Sequence, residues 1–446
     1  MNLPKDFEGY FRERWRDEDV EALVKGLDAE PSVSIRKNPA CLSSDAVPKG
    51  ADGRVPWCPE GFYLSERPAF TADPLLHAGA YYVQEASSMF LAYVLRNILH
   101  ASSFTFHSQT VLDLCAAPGG KSTLLRSLLP DDCLLVANEP VRARCQVLAE
   151  NLSKWGHPNV LVTQAYAREL AKAYSFDLIL ADVPCSGEGM MRKEAEAVAQ
   201  WSPAFVAECA TLQRSIIEDI WPALRPGGLL IYSTCTFNPE EDEENVEWIV
   251  RELGAEMIPV PVDPAWGIRG EMRRELKVES LKFKVLEGSS EQARAESLKL
   301  KDESLKFFAS EASQGAEWKV QKFFHFLPGQ VRGEGFFCAV LRKDGEAETW
   351  KEKKQKGRDR LTTLPTDLLD SPEAPRVELS LEEAVRYLQR EAIVLPPDSP
   401  RGIVQVCFQG QRLGLAKNLG SRANNLYPKE WRIRSGYTIG QTLFPQ

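Results

Sequence analysis

The fold of this 446-residue chain is decided by one stretch, Thr110-Val111-Leu112-Asp113-Leu114-Cys115-Ala116-Ala117-Pro118-Gly119-Gly120-Lys121. It reads as an apolar strand, a turn of small residues and the start of a helix. Four more short apolar strands are predicted at 134–137, 160–162, 176–181 and 228–233, in alternation with helical segments that end with 239–253. This alternation predicts an α/β fold with a Rossmann-like parallel sheet covered on both faces. Ligands then bind at the carboxyl ends of the strands.

The chain around this sheet divides into several predicted units. Residues 1–70 are Pro-rich and form an N-terminal α+β segment, and 71–343 form the domain of the parallel sheet. Within that domain, 271–315 contains three near copies of Glu-Ser-Leu-Lys and reads as a low-complexity insertion. A charged linker is predicted at 344–374, and a small β-rich domain at 375–446.

The charge of the chain is unevenly distributed. The net charge is -9, from 54 basic and 63 acidic residues. Residues 401–446 nevertheless contain one acid, Glu430, against seven basic residues, namely Arg401, Arg412, Lys417, Arg422, Lys429, Arg432 and Arg434. Such a basic end is expected where a protein contacts phosphates, although a solvated basic face would look the same.

Cysteine usage and hydropathy limit the class of protein. The ten cysteines are scattered and include no Cys-x-x-Cys pair, so we expect reduced thiols, no metal site and a cytoplasmic location. No apolar run approaches the length of a membrane span, and the N-terminus lacks a secretory pattern. The expected partners therefore include no membrane.

The turn after the first strand is suited to a nucleoside-containing cofactor. Its end, Gly120-Lys121-Ser122, looks like the end of a P-loop, but that motif requires glycine where Cys115 stands. Small residues and glycines instead suit the amino-acid end of S-adenosylmethionine. Glu139, after the second strand, can accept hydrogen bonds from both ribose hydroxyls. The sequence therefore predicts S-adenosylmethionine as the cofactor.

Two cysteines follow neighbouring strands at the same edge of the sheet. Asp182 and Cys185 come after the fourth strand, and Cys235 comes after the fifth. A thiolate that adds to C6 of cytosine makes C5 nucleophilic towards a sulfonium methyl group. Asp182 can then hydrogen-bond N3 and the exocyclic amine of the base. On this chemistry alone, either cysteine could be the nucleophile.

These motifs resemble those of the RNA cytosine-C5 methyltransferases of the Sun/Nop family and, within it, the bacterial RsmF-type ribosomal RNA enzymes. The similar segments are 78–89, 115–123, 182–189, 234–241 and 333–337. The basic tail with 424–428 resembles that family's PUA-like RNA-binding domain. The resemblance implies a class I S-adenosylmethionine-dependent methyltransferase sheet followed by a PUA-like domain.

The resemblance also implies roles for individual residues. Cys235 is the expected nucleophile, Cys185 assists release of the methylated RNA, and Asp182 serves both base and cofactor. The cofactor pocket is expected to be lined by Cys115, Ala116, Ala117, Pro118, Gly119, Gly120, Lys121, Glu139 and Asp182. The family usually has an acidic residue near the adenine, where this sequence has Ala165-Tyr166. Either Tyr166 stacks on adenine instead, or the cofactor is bound more weakly. The expected RNA contacts are Arg36, Arg422, Lys429, Arg432 and Arg434.

We therefore expect a monomeric enzyme that methylates cytosine C5 in small-subunit ribosomal RNA. Transfer RNA is an alternative substrate. Amino-group methylation is a second alternative, in which Cys235 would be dispensable. A third is a non-catalytic RNA-binding or ribosome assembly factor, which would have no need of two thiols at the strand ends.

Overall fold

The structure, a computed structural model, describes residues 1–100, 109–273, 319–345, 361–434 and 442–444. The predicted insertion at 271–315 lies outside the described residues from 274 onward. The same holds for 346–360 of the predicted linker. Over the residues described, no helix is both long and apolar enough to cross a membrane.

The N-terminal unit combines helices with a small antiparallel sheet. Its elements are α1 (Phe7–Arg14), α2 (Asp17–Leu27), β1 (Val33–Lys37), β2 (Ala51–Val55), β3 (Cys58–Leu64), α3 (Pro74–His77) and β4 (Tyr81–Val83). The strand order is β2-β3-β1-β4. β4 lies beyond residue 70 but belongs to this sheet, because it pairs with β1 and sets Tyr82 opposite Arg36.

The central domain is built on one long mixed sheet. Its strands are β5 (Thr110–Asp113), β6 (Leu134–Asn138), β7 (Val160–Gln164), β8 (Phe176–Asp182), β9 (Leu224–Thr234), β10 (Ala255–Met257), β13 (Phe323–Phe326), β14 (Phe336–Lys343) and β15 (Thr362–Leu364). A separate pair is β11 (Val260–Val262) with β12 (Lys319–Gln321). The helices are α4 (Phe90–His100), α5 (Gly120–Leu128), α6 (Arg142–Trp155), α7 (Ala167–Ala173), α8 (Ala195–Gln200), α9 (Pro203–Ile220) and α10 (Glu243–Leu253).

The topology of the long sheet creates a crevice at its centre. The strand order is β10-β14-β9-β8-β5-β6-β7-β15, with β13 paired to β14. β5 to β9 are parallel, whereas β10, β13, β14 and β15 pair antiparallel. The chain runs outward from β5 through β6 and β7, and on the other side from β8 to β9. The order thus reverses between β5 and β8, where ligands of such sheets bind.

Successive residues of the parallel strands enter different cores. Val111 and Leu178 belong to the core that includes residues of α4 and α5. Leu112 and Ile179 belong to the core on the other face, with residues of α7, α9 and α10. Burial on both faces explains why these strands read as continuous apolar runs. The predicted α/β fold is confirmed.

The predicted helix at 239–253 begins later than expected. The segment from Asn238 to Asp242 is a turn in which the amide of Glu241 donates to Asn238 Oδ1 at 2.9 Å. Asp242 has ψ of -94°, which is outside the helical range, and α10 begins at Glu243. The prediction of a start at Pro239 was wrong: the capping bond to Asn238 forms, but the backbone at Asp242, whose carboxylate accepts from Thr234 and Thr236, leaves the helical conformation.

The C-terminal domain is a second small sheet with one helix. Its elements are β16 (Arg376–Glu378), α11 (Leu381–Leu388), β17 (Gly402–Phe408), β18 (Gln411–Asn418) and β19 (Ala423–Asn425), and the sheet order is β16-β17-β18-β19. Ser380 and Glu383 form a capping box at the start of α11. This domain shares a core with the N-terminal sheet. Within that core Phe444 packs on Tyr81, with ring centroids 5.9 Å apart.

Gly79 offers a test of how closely the N-terminal unit approaches α6. Its φ is +70°, and an added Cβ would lie 1.9 Å from the carbonyl oxygen of Lys154. We expect Gly79→Ala to lower the free energy of unfolding by about 3 kcal/mol or more, because the backbone must move as well as adopt a strained conformation. Urea unfolding measures this change. Gly53→Ala is the control, since Gly53 has φ of +108° but open space around it, and its cost should stay near 1 kcal/mol.

Candidate active site at the carboxyl ends of the strands

The two strand-end cysteines are brought together. Cys185 follows β8 and Cys235 follows β9, and the strands pair in register with Asp182 beside Ser233. The two sulfur atoms lie 2.9 Å apart. The hydrogen bond to Cys235, together with burial, raises the pKa of Cys185 well above its usual range.

Asp182 joins three strand ends in one hydrogen-bonded group. Its Oδ2 accepts from Lys121 Nζ at 2.7 Å, and its Oδ1 accepts from Ser233 Oγ at 2.8 Å. Burial would lower the pKa of Lys121, but the adjacent Asp182 carboxylate outweighs it and the net pKa is raised. The carboxylate is thus held in a fixed orientation next to a permanent cation. Ser233 was not predicted from the sequence, because a serine at a strand end has no distinctive pattern.

The loop from Cys115 to Gly120 crosses the carboxyl end of β5. Gly119 has φ of +114°, a conformation that favours glycine, and Gly120 begins α5 against the ring of Tyr82. Beneath the loop, Asp113 accepts from Ser122 Oγ at 2.6 Å. The other oxygen of Asp113 is buried and, among the described residues, has no hydrogen-bond partner. Burial raises the pKa of Asp113 to about 7.

The carboxyl ends of β6 and β7 carry the next predicted residues. Glu139 is 1% exposed, accepts from the amide of Val141 at 3.0 Å and lies 3.4 Å from Arg144. Tyr166, at the start of α7, is 63% exposed and hence accessible to a ligand. Both residues lie on the same edge of the sheet as the cysteines, as the strand pattern predicted.

Asn138, which the sequence did not single out, ties these strand ends together. Its Nδ2 donates to the carbonyls of Leu114 and Ala165, each at 3.0 Å. Its Oδ1 accepts from Thr163 Oγ1 at 2.9 Å. The same Oδ1 also accepts from the amide of Ala165 at 3.1 Å, and a buried amide with these four bonds fixes the positions of the ends of β5, β6 and β7 relative to one another. A signal was available, because asparagine inside an apolar strand must find partners.

The position of Arg36 does not support the predicted RNA contact. Arg36 is 2% exposed, and its guanidinium donates to Gln84 Oε1 at 2.8 Å and Thr123 Oγ1 at 2.6 Å. It also lies over the ring of Trp155, 4.6 Å from the centroid. The expectation is therefore corrected. Arg36 links the N-terminal sheet to the central domain, because a buried guanidinium must satisfy its donors internally.

The other predicted RNA contacts are on the surface. Arg422, Lys429, Arg432 and Arg434 are all exposed. Lys429 and Arg432 line a surface depression that also includes Arg390. Arg390 has φ of +61°, and its buried Nε has no hydrogen-bond partner among the described residues. Sequence reasoning missed Arg390 because it lies before the basic tail.

By contrast, Arg412 of that tail donates to the carbonyl of Ser153 at 2.8 Å and joins two domains.

Taken together, the sheet and its strand ends define the class of protein. A parallel sheet with a glycine turn after β5, an acid after β6 and a cysteine after each of β8 and β9 is the arrangement of Rossmann-like methyltransferases. Two solved structures from Pyrococcus horikoshii share this fold. One is a methyltransferase homolog protein, with TM-score 0.53 and 24% identity over 77% of this chain and 96% of that one. The other is NSun6 with SFG, with TM-score 0.54 and 20% identity over 77% and 99%.

Sequence comparison then identifies the family. Three family models match, described as N-terminal domain of 16S rRNA methyltransferase RsmF (residues 3–86), 16S rRNA methyltransferase RsmB/F (105–276) and Methyltransferase RsmF PUA domain (374–433). Ribosomal RNA small subunit methyltransferase F of Cronobacter sakazakii is 33% identical over 90% of both chains. That of Salmonella agona is 31% identical over 86% of this chain and 85% of its own. The chain belongs to the ribosomal RNA small subunit methyltransferase F family and is an RNA methyltransferase.

This membership confirms the RsmF-type resemblance and the PUA-like C-terminal domain. It also decides against a non-catalytic RNA-binding factor. The N-terminal family model ends at residue 86, which agrees with the inclusion of β4 in the first sheet.

The buried Asp113 should make stability depend on pH. Its folded pKa is about 7, whereas an unfolded aspartate has about 3.9. The stabilising contribution is therefore present below about pH 4 and is lost as the pH rises through about 7. We expect the urea midpoint of the natural protein to fall relative to that of Asp113→Asn between pH 4.5 and 7.5. An unchanged difference between the two proteins would contradict this, and Glu373→Gln, at an exposed acid, is the control.

Proposed function

We propose that the protein transfers a methyl group from S-adenosylmethionine to C5 of cytosine in small-subunit ribosomal RNA, through a covalent bond between Cys235 and C6. The observation that carries the proposal is the 2.9 Å distance between the sulfur atoms of Cys185 and Cys235 beside Asp182. Two thiols in contact at a ligand crevice suit covalent chemistry, whereas amino-group methylation would need neither. The names of the relatives support the ribosomal substrate.

The residues at the strand ends fit S-adenosylmethionine. Gly119 and Gly120 form a turn of small residues after β5, and Asp113 beneath it has a buried oxygen with no hydrogen-bond partner among the described residues. Glu139 offers carboxylate oxygens suited to ribose hydroxyls, and Tyr166 offers an exposed ring for adenine. When bound, S-adenosylmethionine supplies an electrophilic methyl group. The remaining chemistry falls to side chains of this chain.

Cys235 forms and later breaks the bond to the base. Its sulfur adds to C6, which places electron density on C5 and on the N3 side of the ring. Asp182 is held by Lys121 and Ser233 at the end of β8, three residues before Cys185, and would hydrogen-bond N3 and the exocyclic amine. After methylation a base supplied by the solvent takes the C5 proton, and the electron pair of the broken C5–H bond re-forms the C5–C6 double bond as the sulfur is expelled. Cys185, which retains its proton, would donate to the departing sulfur of Cys235 and so assist release.

Removal of each thiol should have a different result. Cys235→Ala should lower kcat roughly 10⁴-fold or more, because no adduct can form. Cys185→Ala should form the adduct but release it slowly, so that a retarded protein–RNA band accumulates on a denaturing gel. Both proteins are incubated with unmodified ribosomal RNA and S-adenosylmethionine, and Cys209→Ala, a buried thiol on α9, is the control. Methyl transfer that survives in Cys235→Ala with no band in either variant would indicate amino methylation instead.

We further propose that Arg390, Lys429 and Arg432 bind RNA phosphates. The three surround one depression, in which Lys429 and Arg432 are exposed. Glu430 lines the same depression and reduces its net charge without reversing it.

Substitution of these residues should change the salt dependence of RNA binding. Lys429→Gln with Arg432→Gln should lower the slope of log Kd against log salt by about 2, because each phosphate contact contributes about 1. Fluorescence anisotropy with a ribosomal RNA fragment measures the slope. Arg251→Gln, at an exposed residue paired with Glu252, should leave it unchanged. An unaltered slope in the double variant would place the phosphate contacts elsewhere.

A further inference from the structure

Each of the two loops that carry a cysteine also carries a buried carboxyl group. The first loop, residues 183–189 after β8, contains Cys185 and Glu188. The second, residues 235–242 after β9, contains Cys235 and Glu241. Both glutamates are 0% exposed. The proposed chemistry uses neither of them, so their burial requires another explanation.

Glu188 of the first loop binds the backbone of the second. Its Oε2 accepts from the amide of Phe237 at 2.8 Å and from that of Asn238 at 3.0 Å. These amides follow Cys235 by two and three residues. The carboxylate therefore fixes the course of the chain directly after the proposed nucleophile.

Glu241 of the second loop binds the backbone of the first. Its Oε2 accepts from the amide of Ser186, the residue after Cys185, at 3.0 Å. The same oxygen accepts from Gln213 Nε2 at 2.6 Å, and that Nε2 also donates to the carbonyl of Pro184 at 2.9 Å. The backbone on both sides of Cys185 is thus held from the second loop and from α9.

Three further hydrogen bonds complete the arrangement. Asn238 Nδ2 donates to Glu188 Oε1 at 3.0 Å and to Glu241 Oε1 at 2.8 Å. The amide of Gly189 donates to the carbonyl of Cys235 at 2.7 Å. Each loop therefore holds the other through a carboxylate, and one amide side chain connects the two carboxylates.

Burial of two carboxyl groups close together is electrostatically unfavourable. Burial, with the charge of Glu241 as a second cause, raises the pKa of Glu188. Burial also raises the pKa of Glu241. Buried carboxyl groups persist when several donors satisfy them, and a network with one member removed is worse than none.

We propose that Glu188 and Glu241 are positioning residues, and that together they set the distance between the sulfur atoms of Cys185 and Cys235. The inference rests on the proposed function in one respect. The distance matters because Cys185 must reach the sulfur of Cys235 to assist release of the RNA. Loss of either carboxylate should then lower kcat and leave KM unchanged, because RNA contacts outside the loops remain. Both oxygens of each glutamate accept hydrogen bonds. In Glu188→Gln or Glu241→Gln the new amide nitrogen would therefore face a donor whichever way the side-chain amide is turned, and that hydrogen bond would be lost.

The first measurement is cross-linking of the free protein by diamide, which needs no RNA and no turnover. Diamide takes two hydrogen atoms from two thiols, which form a disulfide while the diazene is reduced to a hydrazine. We expect the Cys185–Cys235 peptide pair, quantified by mass spectrometry, to form about tenfold more slowly in Glu188→Gln and Glu241→Gln. Glu243→Gln is the matched control, because Glu243 is equally buried but binds His325 on β13 rather than either loop. It should cross-link at the natural rate.

The second measurement is steady-state kinetics with the denaturing gel. Both glutamine variants should show about tenfold lower kcat, unchanged KM and more retained adduct than the natural protein. If a variant fails to fold, Asn238→Ala removes only the connecting side chain and should slow cross-linking to a smaller extent. Natural cross-linking rates in the folded variants would overturn the proposal. A different result would be slower cross-linking in the glutamine variants together with no RNA adduct in any of the proteins. That result would uphold the positioning role and refute the proposed function.

Discussion

The register between β8 and β9 is the constraint on which the rest of the site depends. Parallel pairing sets Asp182 beside Ser233, so the loops that follow β8 and β9 leave the sheet at the same level and in the same direction. Cys185 and Cys235 come three and two residues later, which is too short a distance for them to diverge. A slip of one residue would turn either chain to the opposite face. The strands are buried on both faces, and packing into two different cores prevents that slip.

The acidic run from Glu240 to Glu244 shows how a charge pattern can mislead. Five consecutive acids suggest a solvated surface, but four of them have separate partners on different elements. Glu240 binds Arg14 of α1, and Glu241 binds the loop of Cys185. Asp242 accepts from Thr234 and Thr236, and Glu243 pairs with His325. The net charge of -9 therefore overstates the negative charge presented to RNA, because part of it lies inside the protein.

Sequence patterns predicted those features that repeat along the chain. The strands, the glycine turn and the strand-end cysteines follow from periodicity and from the geometry of parallel sheets, and the structure brings them together. The features that the sequence did not predict depend on contacts between distant segments. Arg36 looked like a surface cation until its pocket of Gln84 and Thr123 was known. Glu188 could be recognised only as part of a loop motif. Its binding to the amides of residues 237 and 238 could not be predicted, because those residues are distant in the sequence.

The shared core of the first and last domains has a consequence for how the protein is made. Tyr81 packs on Phe444, and Asp73 accepts a hydrogen bond from the amide of Leu443 at 2.9 Å. The ribosome releases the N-terminal sheet long before it adds these partners. During that interval an apolar face of the sheet has no cover of its own, and such transient faces promote aggregation. The shared core is therefore completed only when residues 443 and 444 have been added.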